Sequence, residues 1–204
     1  RAELLVARQP RWAGVRSAYD KVLRQRNALL KSAAPVLRRG ARYRPRPAEE
    51  GGDDARASAL HTLDIWNEHL ATVGSQLLYA RLRLLRDLGP YLSKAYDEVS
   101  AGQSDARVSY KSSLREEVAA SIAAGEVPEA EELHAQILAA LEEARPREVE
   151  RGISLVGPHR DDVVLTLGEL PAKGYASHGE SWSFALGLKL AAYQLLRHDL
   201  GEDP

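Results

Sequence analysis

Apolar residues recur at helical spacing along most of this chain. Between residues 11 and 31 they fall at Val15, Tyr19, Val22 and Leu29, in steps of four, three and seven. Those steps make a heptad seam, with Arg26 as a polar interruption. The Ala33-Ala34-Pro35 run is expected to weaken this helix, because proline has no amide hydrogen to donate. Residues 38–56 are rich in Arg, Pro, Gly and acid and predict a flexible linker. A second seam runs through Leu63, Trp66, Leu70, Val73, Leu77, Ala80 and Leu84, in alternating steps of three and four. It predicts a long helix over about residues 57–100, kinked or divided at Gly89-Pro90. Two seamed helices joined by a polar linker predict an antiparallel, coiled-coil-like arm. Two ordinary packed helices of a bundle fit the same pattern.

Farther along, the pattern shortens. Val108 and Tyr110 alternate within residues 106–111 and predict a short strand. Helices are expected near 113–124 and 128–143, the second with Pro128 in its first turn. After Pro146 the character changes. Ile153 and Leu155, then Val163-Val164-Leu165-Thr166-Leu167, are short β-prone runs around a polar turn at 157–162. A last amphipathic helix is expected over about 179–198, with Phe184, Leu188, Ala191 and Leu195 on one face. The expected fold is mainly α with a small α/β part. A helical arm domain would occupy residues 1–145. The α/β part would occupy 146–204, too short for a complete sheet domain.

Composition narrows the setting. The 204 residues are enough for one large domain or two small ones. There is no Cys, which excludes disulfides and Cys-based metal sites and agrees with a reducing cytosol. No apolar run approaches the roughly 20 residues needed to span a bilayer, and the first residues lack the shape of a signal peptide. The chain holds no Met, and it closes on the turn residues Gly201-Glu202-Asp203-Pro204. It is therefore expected to be an internal piece of a longer protein. The net charge of −1 is split along the chain: residues 1–56 carry 14 Lys and Arg against 6 Asp and Glu, and residues 57–204 carry 14 against 23. A basic first quarter points to a polyanionic partner, or to charges that pair across the fold.

Three local runs carry candidate chemistry. Ser177-His178-Gly179-Glu180-Ser181 opens the last helix. A helix N-terminus presents free amides and a partial positive charge, which suits a phosphate; plain N-capping by Ser177 explains the same residues. The run Gly157-Pro158-His159-Arg160-Asp161-Asp162 offers a His with two carboxylates. Adjacent aspartates diverge on a strand or turn, which argues against a metal site. A hairpin turn tied by Arg160–Asp pairing, or a role at an interface, remain as readings. Arg38, Arg39, Arg42, Arg44 and Arg46 stud the linker. Arginines suit bidentate contact with phosphates of DNA; a solvated loop without a partner is the alternative.

Taken together, the runs resemble one family. Ser177-x-Gly179-Glu180 followed by an Ala/Leu-rich helix resembles the signature motif of ABC-type ATPases, and more closely that of the RecF family. That family carries Gly-Pro-His-Arg-Asp-Asp ahead of it, complete here at 157–162. The Tyr19 to Lys31 segment, with Gln25-Arg26-Asn27 and Leu29-Leu30-Lys31, looks like the family's Tyr-x-x-x-Leu-x-Gln-Arg-Asn-x-Leu-Leu-Lys. One departure stands out: Glu180-Ser181-Trp182 replaces the usual Gln-Gln-Arg. The Ala- and Arg-rich composition points to a GC-rich genome, such as an actinobacterium's.

The resemblance implies a partial ATPase head at 146–204, attached to the arm. In ABC-type ATPases two heads sandwich ATP, and the signature of one head touches the γ-phosphate held by the other. Carried over, that role falls on Ser177 and Gly179, with Glu180 in doubt. His159, Arg160, Asp161 and Asp162 become candidates for the head interface. Neither a Walker A loop, Gly-x-x-x-x-Gly-Lys-Ser/Thr, nor a Walker B acidic strand is present in this chain. The stretch therefore has no catalytic residue of its own and is expected to be inactive alone. The longer protein is expected to use ATP and Mg2+ as a slow DNA-dependent ATPase in the cytoplasm. It would dimerise on ATP, bind double-stranded and gapped or single-stranded DNA, and work with RecO and RecR to load RecA at stalled replication. An SMC- or RecN-like arm, or a non-enzymatic helical interaction module, are the alternatives.

Overall fold

A computed structural model describes residues 2–38, 51–100 and 105–201. The chain folds around one long helix. After the short α1 (Ala2–Arg8) come α2 (Arg11–Arg38) and α3 (Gly51–Ser100). Strand β1 (Ala106–Lys111), α4 (Glu116–Ala123) and α5 (Ala130–Arg151) follow. The chain ends with β2 (Asp162–Leu167), β3 (Leu170–Pro171), α6 (Ala172–Tyr175) and α7 (His178–Leu200). The fold is mainly helical, with a small three-stranded antiparallel sheet in the order β1-β2-β3.

Helix α3 is the spine, with α2, α5 and α7 all packed on it. Against α2 it runs antiparallel: Leu30 meets Leu63 in one apolar cluster, Arg26 bonds Asn67, and Tyr19 lies beside Gly74. The expected antiparallel pair of seamed helices is therefore present, and α5 packs along the same half of α3, with Arg145 beside Asp64 and Ile137 beside Gly74. The other half of α3 takes α7. Tyr96 stacks obliquely on Phe184, and Gly187 sits so close to the Tyr96 backbone that a Cβ there would come within 3.4 Å of it. Arg8 at the end of α1 joins α3 to the end of α7, through Asp87 at 2.8 Å and through Asp199.

Several boundaries differ from expectation. Helix α3 begins at Gly51, so residues 51–56 are helical rather than linker. It also continues through Gly89-Pro90 undivided. A proline inside a helix costs about 3 kcal/mol, but Leu88, Leu92, Ala95 and Tyr96 are all buried around it and offset that loss. Pro35 is carried inside α2 in the same way, between buried Ala33, Ala34 and Leu37. Pro146 lies inside α5, flanked by buried Ala144, Glu148 and Val149. Ile153 and Leu155 belong to a loop, not a strand. That segment's backbone is held by side chains, as described below. Helix α1 was not foreseen, since seven residues show too little periodicity.

The sheet ties the middle of the chain to its last part. β1 pairs with β2 from Ala106↔Leu167 to Lys111↔Asp162, and β2 turns back into β3 at Leu167↔Leu170. Ala106 and Tyr110, on one face of β1, are buried in the same core cluster as Leu70, Ile137 and Phe184. The loop between α5 and β2 and the start of α7 are both suspended from this frame.

Candidate functional site

Two of the sequence motifs meet in space. Gln25-Arg26-Asn27 lies in the middle of α2, and the loop at 152–161 folds onto it. Arg26 is fully buried and each of its three guanidinium nitrogens donates a hydrogen bond. Nε donates to Asn67 Oδ1 at 2.9 Å, one terminal nitrogen to Ser154 Oγ at 2.6 Å, and the other to Glu148 Oε2 at 2.6 Å. Glu148 is equally buried, and its second oxygen accepts the Leu155 amide at 2.7 Å. Asn27 Oδ1 accepts both the Ser154 amide at 2.7 Å and the Ser154 hydroxyl at 2.8 Å. The Ser154 carbonyl takes Nε and a terminal nitrogen of Arg160, at 2.9 and 2.8 Å. A loop without regular structure must satisfy its buried backbone groups by such bonds.

The 157–162 run is locked from its other side. Gly157 exchanges bonds with the Ser113 side chain, its amide donating to Oγ at 2.9 Å. Arg81 donates to the Pro158 carbonyl at 2.5 Å. Asp161 turns inward, accepting the Ser113 amide at 2.7 Å and the Tyr110 hydroxyl at 3.0 Å. Burial raises its carboxyl above the usual range, against the pull of those bonds and of Arg81. Asp162 instead is exposed and accepts the Val163 amide. The two aspartates thus diverge, and Arg160 spends its donors on Ser154. A cavity of about 690 Å³ opens beside this loop, lined by Arg81, Tyr110, His159 and Asp161 and by leucines of α3. Its volume suits a small ligand, but Arg81 and Asp161 are already bonded to the protein itself.

His159 joins the loop to α2. Its Nε2 lies 3.2 Å from the Ser154 carbonyl, which can only accept, so that nitrogen carries the proton. Nδ1 is then the acceptor for the Tyr19 hydroxyl at 2.7 Å. Burial pushes the imidazole pKa below its usual 6.5, and the Ser154 bond opposes this only in part. A histidine held neutral stabilises the fold fully above its unfolded pKa. That stability is lost as pH falls below about 6.5 toward the depressed folded value. Thermal unfolding of the protein between roughly pH 7 and 5.5 should show falling stability, and His159→Gln should flatten that slope. An equal slope in both proteins would remove His159 as its source.

The start of α7 is built differently. Ser177 is the N-cap: its Oγ accepts the Glu180 amide at 3.2 Å, and Glu180 Oε2 accepts the Ser177 amide at 2.8 Å. This reciprocal pair is a capping box. The Ser177 bonds hold the Glu180 carboxyl below its usual pKa. Glu180 therefore faces its own backbone. Ser177, His178 and Gly179 are exposed, and the space above Gly179 is open. The Ser177 hydroxyl accepts within the cap, which leaves its own proton to donate outward. Free first-turn amides, a hydroxyl donor and a glycine without obstruction fit an incoming phosphate. Tyr175 and Trp182, 68% and 71% exposed, flank the turn in sequence.

Of the residues singled out in the sequence, 157–161 sit in one bonded loop, Asp162 opens β2, and 177–180 stand at one helix start. Arg39, Arg42, Arg44 and Arg46 lie outside the described residues, as does the side chain of Arg38. Sequence reasoning passed over Arg26 and Glu148 as a pair. A signal existed: Glu148 stands in the seam Leu133, Ile137, Leu141, Ala144, just as Arg26 stands in the α2 seam. Opposite charges in two apolar seams mark a buried pair.

No family model matches the chain. It is 52% identical over 205 residues to the DNA replication and repair protein RecF of Beutenbergia cavernae, across 97% of this chain and 48% of that protein. The protein of the same name from Kineococcus radiotolerans is 54% identical over 199 residues, across 97% and 47%. That of Streptomyces avermitilis is 48% identical over 202 residues, across 99% and 48%. The chain thus spans about half the length of the curated relatives it matches. A solved structure of the recombination mediator protein RecF-ATPrS in the RecFOR pathway superposes with a TM-score of 0.75 at 25% identity, over 97% of this chain and 45% of that one. The corresponding RecF-ATP structure gives 0.75 at 23% identity, over 98% and 46%, and bears on the fold alone.

Proposed function

Because this chain is the counterpart, over nearly its whole length, of about half of a RecF protein, we propose that it forms the helical arm and the signature-bearing part of an ATP-dependent DNA-repair protein. The single observation that carries this reading is the α7 start. Its capping box is formed within the chain, yet Ser177 and Gly179 remain exposed and open. Capping accounts for Ser177 and Glu180 but not for the exposed glycine between them.

In this reading Ser177 and Gly179 meet the γ-phosphate of ATP held, with Mg2+, by the Walker A loop of a second copy. ATP supplies the charge that the two helix starts share when the copies pair. This chain's own part is to orient a hydroxyl and an amide toward it and to keep Glu180 turned away. His159, Arg160, Asp161 and Asp162 stand near the paired surface, with Asp161 acting inward as a brace. The arginines from Arg38 to Arg46 bind duplex or gapped DNA through phosphates. The whole protein acts in the cytoplasm with RecO and RecR and helps RecA replace single-strand-binding protein. The RecFOR pathway named for the solved relative supports the association with RecO and RecR.

The test uses full-length protein carrying Ser177→Asp. Aspartate caps a helix about as well as serine and complements its dipole, so the thermal midpoint should hold or rise. A carboxylate facing a phosphate should instead abolish ATP-driven dimerisation, read by sedimentation. Dimerisation at the wild-type ATP concentration would refute the trans-phosphate role.

A further inference from the structure

The pairing of two copies at Ser177 gives no task to the most completely buried polar group in the described chain. Arg26 and Glu148 are both 0% exposed and lie 2.6 Å apart. Their surroundings include the apolar cluster of Leu30, Leu63 and Val149. Removing two charges from water is costly, and apolar residues of similar shape often serve stability as well or better. The pair therefore needs a reason other than stability.

The reason lies in what an apolar pair could not hold. Residues 152–161 form neither helix nor strand, and their buried backbone groups depend on side chains. Glu148 of α5 accepts the Leu155 amide, while on α2 Arg26 donates to the Ser154 hydroxyl and Asn27 accepts the Ser154 amide. The loop closes only when α2 and α5 stand in one register. It then runs without a break into β2, whose hairpin with β3 leads through α6 to Ser177. We infer that Arg26 and Glu148 are positioning residues. Their buried pair fixes loop 152–161 against the arm and, through the β2–β3 hairpin, sets where Ser177 stands for pairing with a second copy. This inference rests on the ATP-dependent pairing proposed above.

The test is Arg26→Met combined with Glu148→Met in the full-length protein, which removes both charges together. The thermal midpoint is expected to stay near wild type. Hydrogen exchange at the Ser154 and Leu155 amides should rise at least about tenfold, and ATP-driven dimerisation should weaken by about as much. A role in stability alone would move neither readout once the midpoint is kept. If the double variant misfolds, Asn27→Ala frees the Ser154 amide while leaving the ion pair intact, and the same two readouts apply. Unchanged exchange in the double variant would show that the pair does not hold the loop, and in Asn27→Ala that the α2 side chains do not. Rapid exchange with wild-type dimerisation would show that the loop does not govern pairing. Loss of the dimer in Ser177→Asp with its retention in the double variant overturns this inference alone. A wild-type protein that fails to dimerise with ATP overturns both.

Discussion

Arg26→Met alone should destabilise the intact protein by about 3–5 kcal/mol, the usual cost of breaking a buried ion pair from one side. The variant keeps the volume of the side chain but strands the Glu148 carboxylate, which is fully buried at the α5–loop junction. Glu148 would retain only the Leu155 amide. Asn67 Oδ1 and Ser154 Oγ would each lose a donor as well. Thermal unfolding of the intact protein should show a clearly lower midpoint. Adding Glu148→Met should recover most of the loss, because the stranded charge then disappears. That recovery is the decisive result. A double variant as unstable as the single one would mean that the pair is a net source of stability and not a device for geometry. The reverse single change, Glu148→Met, should cost about as much, as it leaves the guanidinium without its anion.

How much of this was written in the sequence depends on the range of the interaction. The α2 and α3 seams are local patterns, and Val15 to Leu29 and Leu63 to Leu84 both emerged as packed helices. β1 matched the alternation of Val108 and Tyr110 at both ends. The Ser177 cap is also local, since its partner Glu180 lies three residues away. The prolines misled, because Pro35, Pro90 and Pro146 are local breakers overruled by packing that the sequence does not display. The loop at 152–161 was the least legible. Its β-prone residues Ile153 and Leu155 suggested a strand, but its partners come from Tyr19, Arg26, Asn27, Arg81 and Ser113, up to 140 residues away. The Gly-Pro-His-Arg-Asp-Asp motif marked the place without revealing that most of it faces inward.

Gly157→Ala should be the other severe change, at about 3 kcal/mol or more, combining backbone strain of about 1–3 kcal/mol with overpacking of similar size. Gly157 has φ +122°, a conformation that side chains rarely adopt. A Cβ there would stand 2.5 Å from the Tyr19 hydroxyl. That hydroxyl has little freedom to retreat, since Tyr19 is 1% exposed and bonded to His159. The two contributions can be separated. Gly125 also has a positive φ, +100°, but nothing lies within 4 Å of its Cβ position. Gly125→Ala should therefore cost only the strain. In a Tyr19→Phe background the obstructing oxygen is gone, so Gly157→Ala should cost less than in wild type, by about 1 kcal/mol or more of coupling. Denaturant unfolding of the four proteins of that cycle measures it. Strict additivity would mean that the glycine is required for its backbone angle alone. Positive coupling would mean that Tyr19 on α2 and Gly157 on the loop were selected for each other, as expected if α2 and the loop must seat at one fixed distance.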